Sequence, residues 1–134
     1  MKKLKVLVVE DEMIQSLYLK KTLIALDCEV VSCVTTGKEA IRSAINYQPD
    51  LITMDIQLND EIDGIDATHE IQKVINIPVV YITGNTDYLH TERLQRTRYL
   101  ELLPKPASRG QISETLETFK SAYSSIERKA VAVS

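Results

Sequence analysis

The stretch Leu4-Lys5-Val6-Leu7-Val8-Val9-Glu10-Asp11-Glu12 decides the reading of this chain. An aliphatic run, Val6 to Val9, passes without a polar interruption into three acids. An unbroken, β-branched run of this length reads as a strand covered on both faces, the pattern of a parallel sheet. Two further runs repeat it. Leu51-Ile52-Thr53-Met54 is followed at once by Asp55, and Pro78-Val79-Val80-Tyr81-Ile82 by Thr83-Gly84. Glu29 to Val34 and Tyr99 to Leu103 are weaker strand candidates, and Lys105 lies just past the second of them.

Helical patterns fill the intervals. Ala40, Ile41, Ala44 and Ile45 form one apolar stripe, and Ala67, Ile71 and Val74 another. Ile112, Leu116, Phe119, Tyr123 and Ile126 keep helical spacing closely. Met13, Leu17 and Ile24 make a looser stripe before Cys28, and Thr86 to Thr97 is a marginal helix whose strong apolar residues are Leu89 and Leu94. Every Gly and Pro falls between periodic segments. Strict strand–helix alternation predicts a parallel sheet with helices on both faces. Right-handed crossovers leave few topologies, of which a five-stranded sheet in the order 2-1-3-4-5 is the common small solution. Its ligands gather at the carboxyl ends of the strands.

Composition narrows the function. The chain has 134 residues, 44% hydrophobic and 26% charged, so it forms one domain with a real core and is neither disordered nor low-complexity. A net charge of −3 argues against bulk nucleic-acid binding. No apolar run approaches the ~20 residues of a membrane span. The basic Met1-Lys2-Lys3 start is cut short by Glu10 to Glu12, so no signal peptide is expected. Cys28 and Cys33 match neither a disulfide framework nor a CxxC motif, and the expectation is a reduced, cytoplasmic protein in which both pack inertly. His69 and His90 have no metal-ligand spacing. Arg93, Arg96, Arg98 and Arg109 read as a solvated helix face rather than a nucleic-acid site, and Tyr88 and Tyr99 as packing residues.

The chemistry lies just past the strands. If the strands are parallel, Glu10, Asp11, Asp55, Thr83 and Lys105 converge on one edge. Taken alone, the acids of Glu10 to Glu12 could equally serve a helix N-terminus. Beside Asp55 they read differently, because clustered carboxylates repel unless a cation compensates them. An all-oxygen cluster without His or Cys suits Mg²⁺. A cation and Lys105 beside Asp55 would stabilise a phosphoryl group in transfer, with Asp55 as nucleophile and the Thr83 hydroxyl and Gly84 amide as hydrogen-bond donors.

Val8-Val9-Glu10-Asp11-Glu12, Pro49-Asp50-Leu51-Ile52-Thr53-Met54-Asp55, Asp63-Gly64, Val79-Val80-Tyr81-Ile82-Thr83-Gly84 and Lys105-Pro106 together resemble the receiver domain of bacterial two-component response regulators. The resemblance runs over about residues 4–123. It places a receiver domain at 1–123, with the end of the last helix and a short tail at 124–134, and implies a flavodoxin-like, doubly wound fold. It implies that Asp55 accepts phosphate from a sensor histidine kinase or a phosphotransfer protein. Glu10, Asp11 and Asp55 would hold Mg²⁺ with the backbone carbonyl of Gln57. Thr83 matches the switch hydroxyl and Lys105 the lysine that pairs with phosphoryl oxygens. Lys105-Pro106 matches a cis bond, and Gln57 and Asn85 match positions that tune dephosphorylation.

The chain departs from the family pattern in places. The Asp55–Gly64 loop is one residue longer than the commonest form and lacks its proline, Leu102 stands where an aromatic switch residue is usual, and Ala107 replaces the usual Phe. The implied role is a signalling phosphoacceptor, not an enzyme acting on a separate substrate. Phosphorylation would alter the surface of the fourth helix, fifth strand and fifth helix for a downstream protein partner or a homodimer, without direct DNA or membrane binding. With no room for a second folded module, a stand-alone regulator is expected. A phosphorylation-independent scaffold and a phosphorelay intermediate are the alternatives. An aspartate-nucleophile phosphatase would want a second acid where Gln57 stands.

Overall fold

The structure, a computed structural model, describes the backbone of residues 2–87 and 91–133, and side chains within that range as far as residue 123. Tyr88, Leu89 and His90, and the side chain of Ile126, lie outside the described residues. Five strands, β1 (Leu4–Val9), β2 (Cys28–Val34), β3 (Leu51–Met54), β4 (Val79–Thr83) and β5 (Tyr99–Pro104), alternate with α1 (Met13–Ala25), α2 (Gly37–Tyr47), α3 (Gly64–Val74), α4 (Glu92–Gln95) and α5 (Arg109–Val133). All strand pairs are parallel and the order is β2-β1-β3-β4-β5, as the alternation predicts.

Strand parity divides the core. Leu7, Val9, Ile52, Met54, Val79 and Tyr81 pack beneath α2, α3 and α4 with Ala40, Ala44, Ile65, Ile71 and Leu94. Val6, Val8, Leu51, Val80 and Ile82 pack on the other side with Leu19 and Leu23 of α1 and Ile112, Leu116 and Phe119 of α5. The three central strands are therefore covered on both faces, which is why they read as continuous runs. Pro104 lies opposite Thr83 on β5, an edge strand with β4 as its sheet neighbour, where a missing N–H is tolerated.

Several expectations are corrected, and the stripe residues Ile45 and Val74 are among them, at 41% and 67% exposure. Met13, Leu17 and Ile24 do not face the core: they are 85%, 49% and 50% exposed, and α1 buries Leu19, Thr22 and Leu23 instead. Both sets keep helical spacing, and packing against β2 and α5 selects the second. Among the described residues of Thr86–Thr97, the fourth helix is one turn, Glu92–Gln95. Thr91 caps its start by accepting from Leu94 N, and the Thr97 hydroxyl closes its end by donating to Leu94 O at 2.7 Å. Cys33 is exposed, while Cys28 packs in the core as expected. No helix among the described residues is long and apolar enough to cross a membrane.

Candidate functional site

The sheet ladder continues one step beyond the strands, and those extra bonds place the site. Asp55 N donates to Val9 O at 3.0 Å, Glu10 N to Val34 O at 3.0 Å and Lys105 N to Thr83 O at 2.9 Å. Asp55, Glu10 and Lys105 are thus each held by the backbone of a neighbouring strand. The peptide bond Lys105-Pro106 is cis, as expected.

Lys105 Nζ sits between Glu10 Oε1 at 2.7 Å and Asp55 Oδ2 at 2.9 Å, with Glu12 Oε1 at 3.6 Å. Glu10 and Asp55 are almost wholly buried, at 1% and 3% exposure. Burial pushes the Glu10 carboxyl up to about 7; the nearby Asp55 charge adds to this, while Lys105 and the Glu12 amide pull it back. Burial alone would lower the Lys105 ammonium, but its hydrogen bonds to Glu10 and Asp55 outweigh that and hold it above its ordinary value.

Glu10, Asp11 and Asp55 each bring a carboxylate oxygen within 4.8 Å of the others. The donor set is all oxygen, one member resists ionisation in the absence of a compensating cation, and one lysine faces two buried acids. These residues fit a hard divalent ion held by carboxylates. Asp11 is half-exposed and its Oδ2 accepts from Asn59 N at 3.1 Å.

Thr83 is buried at the same edge, and its hydroxyl oxygen accepts from Asn85 N at 3.2 Å. Gly84 is open: a Cβ there would meet nothing within 4 Å. Gln57 is exposed, next to the buried Ile56. Gly64 is required by a close approach: a Cβ would lie 2.0 Å from the Asp55 carbonyl oxygen. Leu102 is partly buried and packs with the core beneath α3 and α4.

Four features escaped the sequence reading. Arg93 is no purely solvated arginine: its guanidinium reaches Asp63 Oδ1 and Asp66 Oδ1, each at 2.8 Å, joining α4 to the start of α3. Arg96 does lie on an exposed helix face, paired with Glu92. Tyr81, wholly buried on β4, shares a 2.8 Å hydrogen bond with the Thr97 hydroxyl and packs its ring 5.7 Å from Tyr99, which confirms Tyr99 as a packing residue. Asp60 accepts from Glu61 N at 2.7 Å and Lys38 N at 3.3 Å. Thr53 Oγ1 is buried without a partner. None of these pairings leaves a periodic trace in sequence. The Asp63-Gly64 pair and the unusual loop length were the available signals.

Residues 6–117 match the family described as response regulator receiver domain. A protein-glutamate methylesterase/protein-glutamine glutaminase of Geobacter metallireducens is 32% identical over 111 residues, covering 79% of this chain and 31% of its own length. Transcriptional regulatory protein PdtaR of Mycobacterium tuberculosis is 30% identical over 122 residues, covering 91% of this chain and 59% of its own length. The chain therefore spans less than two thirds of these relatives. Among solved structures, the receiver domain of the PhyR response regulator of Erythrobacter litoralis superposes with a TM-score of 0.81 at 28% identity, covering 91% of this chain and 93% of that one.

Proposed function

The chain belongs to the response regulator receiver domain family, and on that premise we propose that it is a phosphorylation-controlled switch whose phosphoacceptor is Asp55. The observation that carries this reading is Lys105 Nζ lodged between the buried carboxylates of Glu10 and Asp55, at the carboxyl ends of β1, β3 and β5.

Glu10, Asp11 and Asp55, with the backbone carbonyl of Gln57, would hold Mg²⁺, which when bound neutralises the carboxylates and draws charge from the phosphoryl oxygens. The residues do the rest. An Asp55 carboxylate oxygen attacks the phosphorus of a phosphohistidine on a sensor kinase or phosphotransfer protein. The P–O bond of an acyl phosphate forms as the donor's P–N bond breaks, and the imidazole departs with a proton from solvent. Lys105 exchanges its contact with Asp55 for one with a phosphoryl oxygen. The Thr83 hydroxyl, now an acceptor for the Asn85 amide, turns to donate to a second oxygen, with the exposed Gly84 amide beside it. Gln57 and Asn85 flank the phosphorus and set how readily water reaches it.

Moving Thr83 alters the end of β4, the strand to which α4, a single turn, is tied through Thr97 and Tyr81. The surface of α4, β5 and α5 then changes affinity for a protein partner, in proportion to how much better the phosphorylated site suits the altered state. The chain catalyses its own phosphoryl gain and loss. Incubation with acetyl phosphate and Mg²⁺, followed by mass spectrometry, tests the assignment: one phosphoryl group is gained, and the gain is absent in Asp55→Asn. No gain, or a gain that survives the substitution, overturns it. Leu102 at the aromatic switch position favours one rival, a receiver that is a scaffold. Beryllofluoride shifts that stop at Asp55 and leave α4 silent by NMR would select that rival.

A further inference from the structure

The loop between β3 and α3 carries a second set of fastenings. Asp60 Oδ1 accepts from Glu61 N at 2.7 Å, and Asp60 Oδ2 from Lys38 N at 3.3 Å, in the first turn of α2. Lys38 Nζ reaches back to Glu61 Oε2 at 3.1 Å. Ile62 lies against Gly37, where a Cβ would stand 2.6 Å from Ile62 Cγ1. The amides of Glu61, then of Lys38 and Gly37, hold the Asp60 carboxyl below its ordinary range. Three contacts thus tie the loop to the start of α2. Immediately before them, Asn59 N donates to Asp11 Oδ2 at 3.1 Å.

Asp11 is the least constrained of the three clustered acids. Glu10 and Asp55 are buried and held by Lys105, whereas Asp11 is half-exposed. A carboxylate free to rotate loses entropy when it becomes a ligand, and a donor that holds it beforehand removes that cost. The Asn59 amide is such a donor, and its position depends on the loop.

We propose that Asp60 is a positioning residue for the divalent cation: by fastening the β3–α3 loop to α2 it aims the Asn59 amide at Asp11, and so sets cation affinity. The inference rests on the reading of Glu10, Asp11 and Asp55 as the ion's carboxylates. It names a task for the β3–α3 loop, which touches the first turn of α2 and the acid cluster together.

The test is Mg²⁺ titration of the whole chain by NMR, following the amide of Asn59, for wild type, Asp60→Ala and Asp60→Asn. Asp60→Ala weakens Mg²⁺ about tenfold, the size seen when an outer partner of a metal ligand is removed. Asp60→Asn keeps one carbonyl acceptor, enough for the Lys38 amide but not for both amides, and recovers part of the affinity. Acetyl phosphate kinetics add a second reading: in Asp60→Ala the Mg²⁺ concentration for half-maximal rate rises, while the limiting rate is preserved. An Mg²⁺ affinity within twofold of wild type in Asp60→Ala overturns the inference and leaves the site reading standing, as does a loss confined to the limiting rate. Failure of wild type to bind Mg²⁺ overturns both.

Discussion

Two cations in this protein each bridge two acids, at nearly the same distances. Lys105 stands 2.7 and 2.9 Å from Glu10 and Asp55, and Arg93 stands 2.8 Å from both Asp63 and Asp66. Burial separates them. The Lys105, Glu10 and Asp55 side chains are 12%, 1% and 3% exposed, whereas those of Arg93, Asp63 and Asp66 are 48%, 28% and 49% exposed. Bond length therefore does not rank the two clusters. In the buried one, water cannot screen the acids, so Glu10 resists ionisation and the cluster has an unmet need for positive charge. In the exposed one, solvent meets that need, and Asp63 also caps α3 by accepting from Asp66 N. The first arrangement suits chemistry. The second suits a weak tether between α3 and α4.

The largest effect is expected where the two clusters share a backbone junction. Gly64→Ala drives a methyl into the Asp55 carbonyl, and urea unfolding should show a loss of about 3 kcal/mol or more. Lys105→Met leaves two buried acids without their cation and costs about 3 kcal/mol at pH 8. The loss shrinks towards pH 5, where Glu10 carries its proton. An equal loss at both values would mean that the buried cluster is not governed by desolvation.

The metal-free wild type supplies the next test. Glu10 ionises near 4.5 unfolded and about 7 folded, so between those values the folded state binds more protons. Stability from this group therefore falls as pH rises from 4.5 to 7, and thermal denaturation with and without Mg²⁺ should diverge across that window. Arg93→Ala is the smallest change. It should cost no more than about 1 kcal/mol at low salt and less at high salt, because exposed pairs are screened. A larger, salt-independent loss would place Arg93 with Lys105.

The same contrast explains what could be read from the chain beforehand. The β1, β3 and β4 runs were legible because a central parallel strand is apolar on both sides. Glu10, Asp55 and Thr83 were legible because the residue that ends such a run must lie at the sheet's carboxyl edge, and Lys105, past the weaker β5, followed from the strand–helix alternation. The outward face of α1 was misread, since Met13 and Leu17 keep the same period as Leu19 and Leu23, and the period does not say which stripe is covered. The extent of α4 turned on two threonines, Thr91 and Thr97, whose hydroxyls cap its ends. The Arg93 tether and the Asp60 fastening join residues 30 and 22 positions apart, and polar partners at such distances announce themselves only in three dimensions.

The strand order has a consequence for the chain's birth. β1 pairs with β2 on one side and with β3 on the other. As the chain leaves the ribosome, the β2 partner emerges first, by residue 34, while Val6 to Val9 keeps its second edge open until residues 51–54 follow. During that interval the most aliphatic strand presents unpaired N–H and C=O groups, the template on which foreign strands add. Lys5, exposed on that strand, puts a charge at the vulnerable edge, and a nascent chain carrying an apolar residue there would be the one most in need of a chaperone.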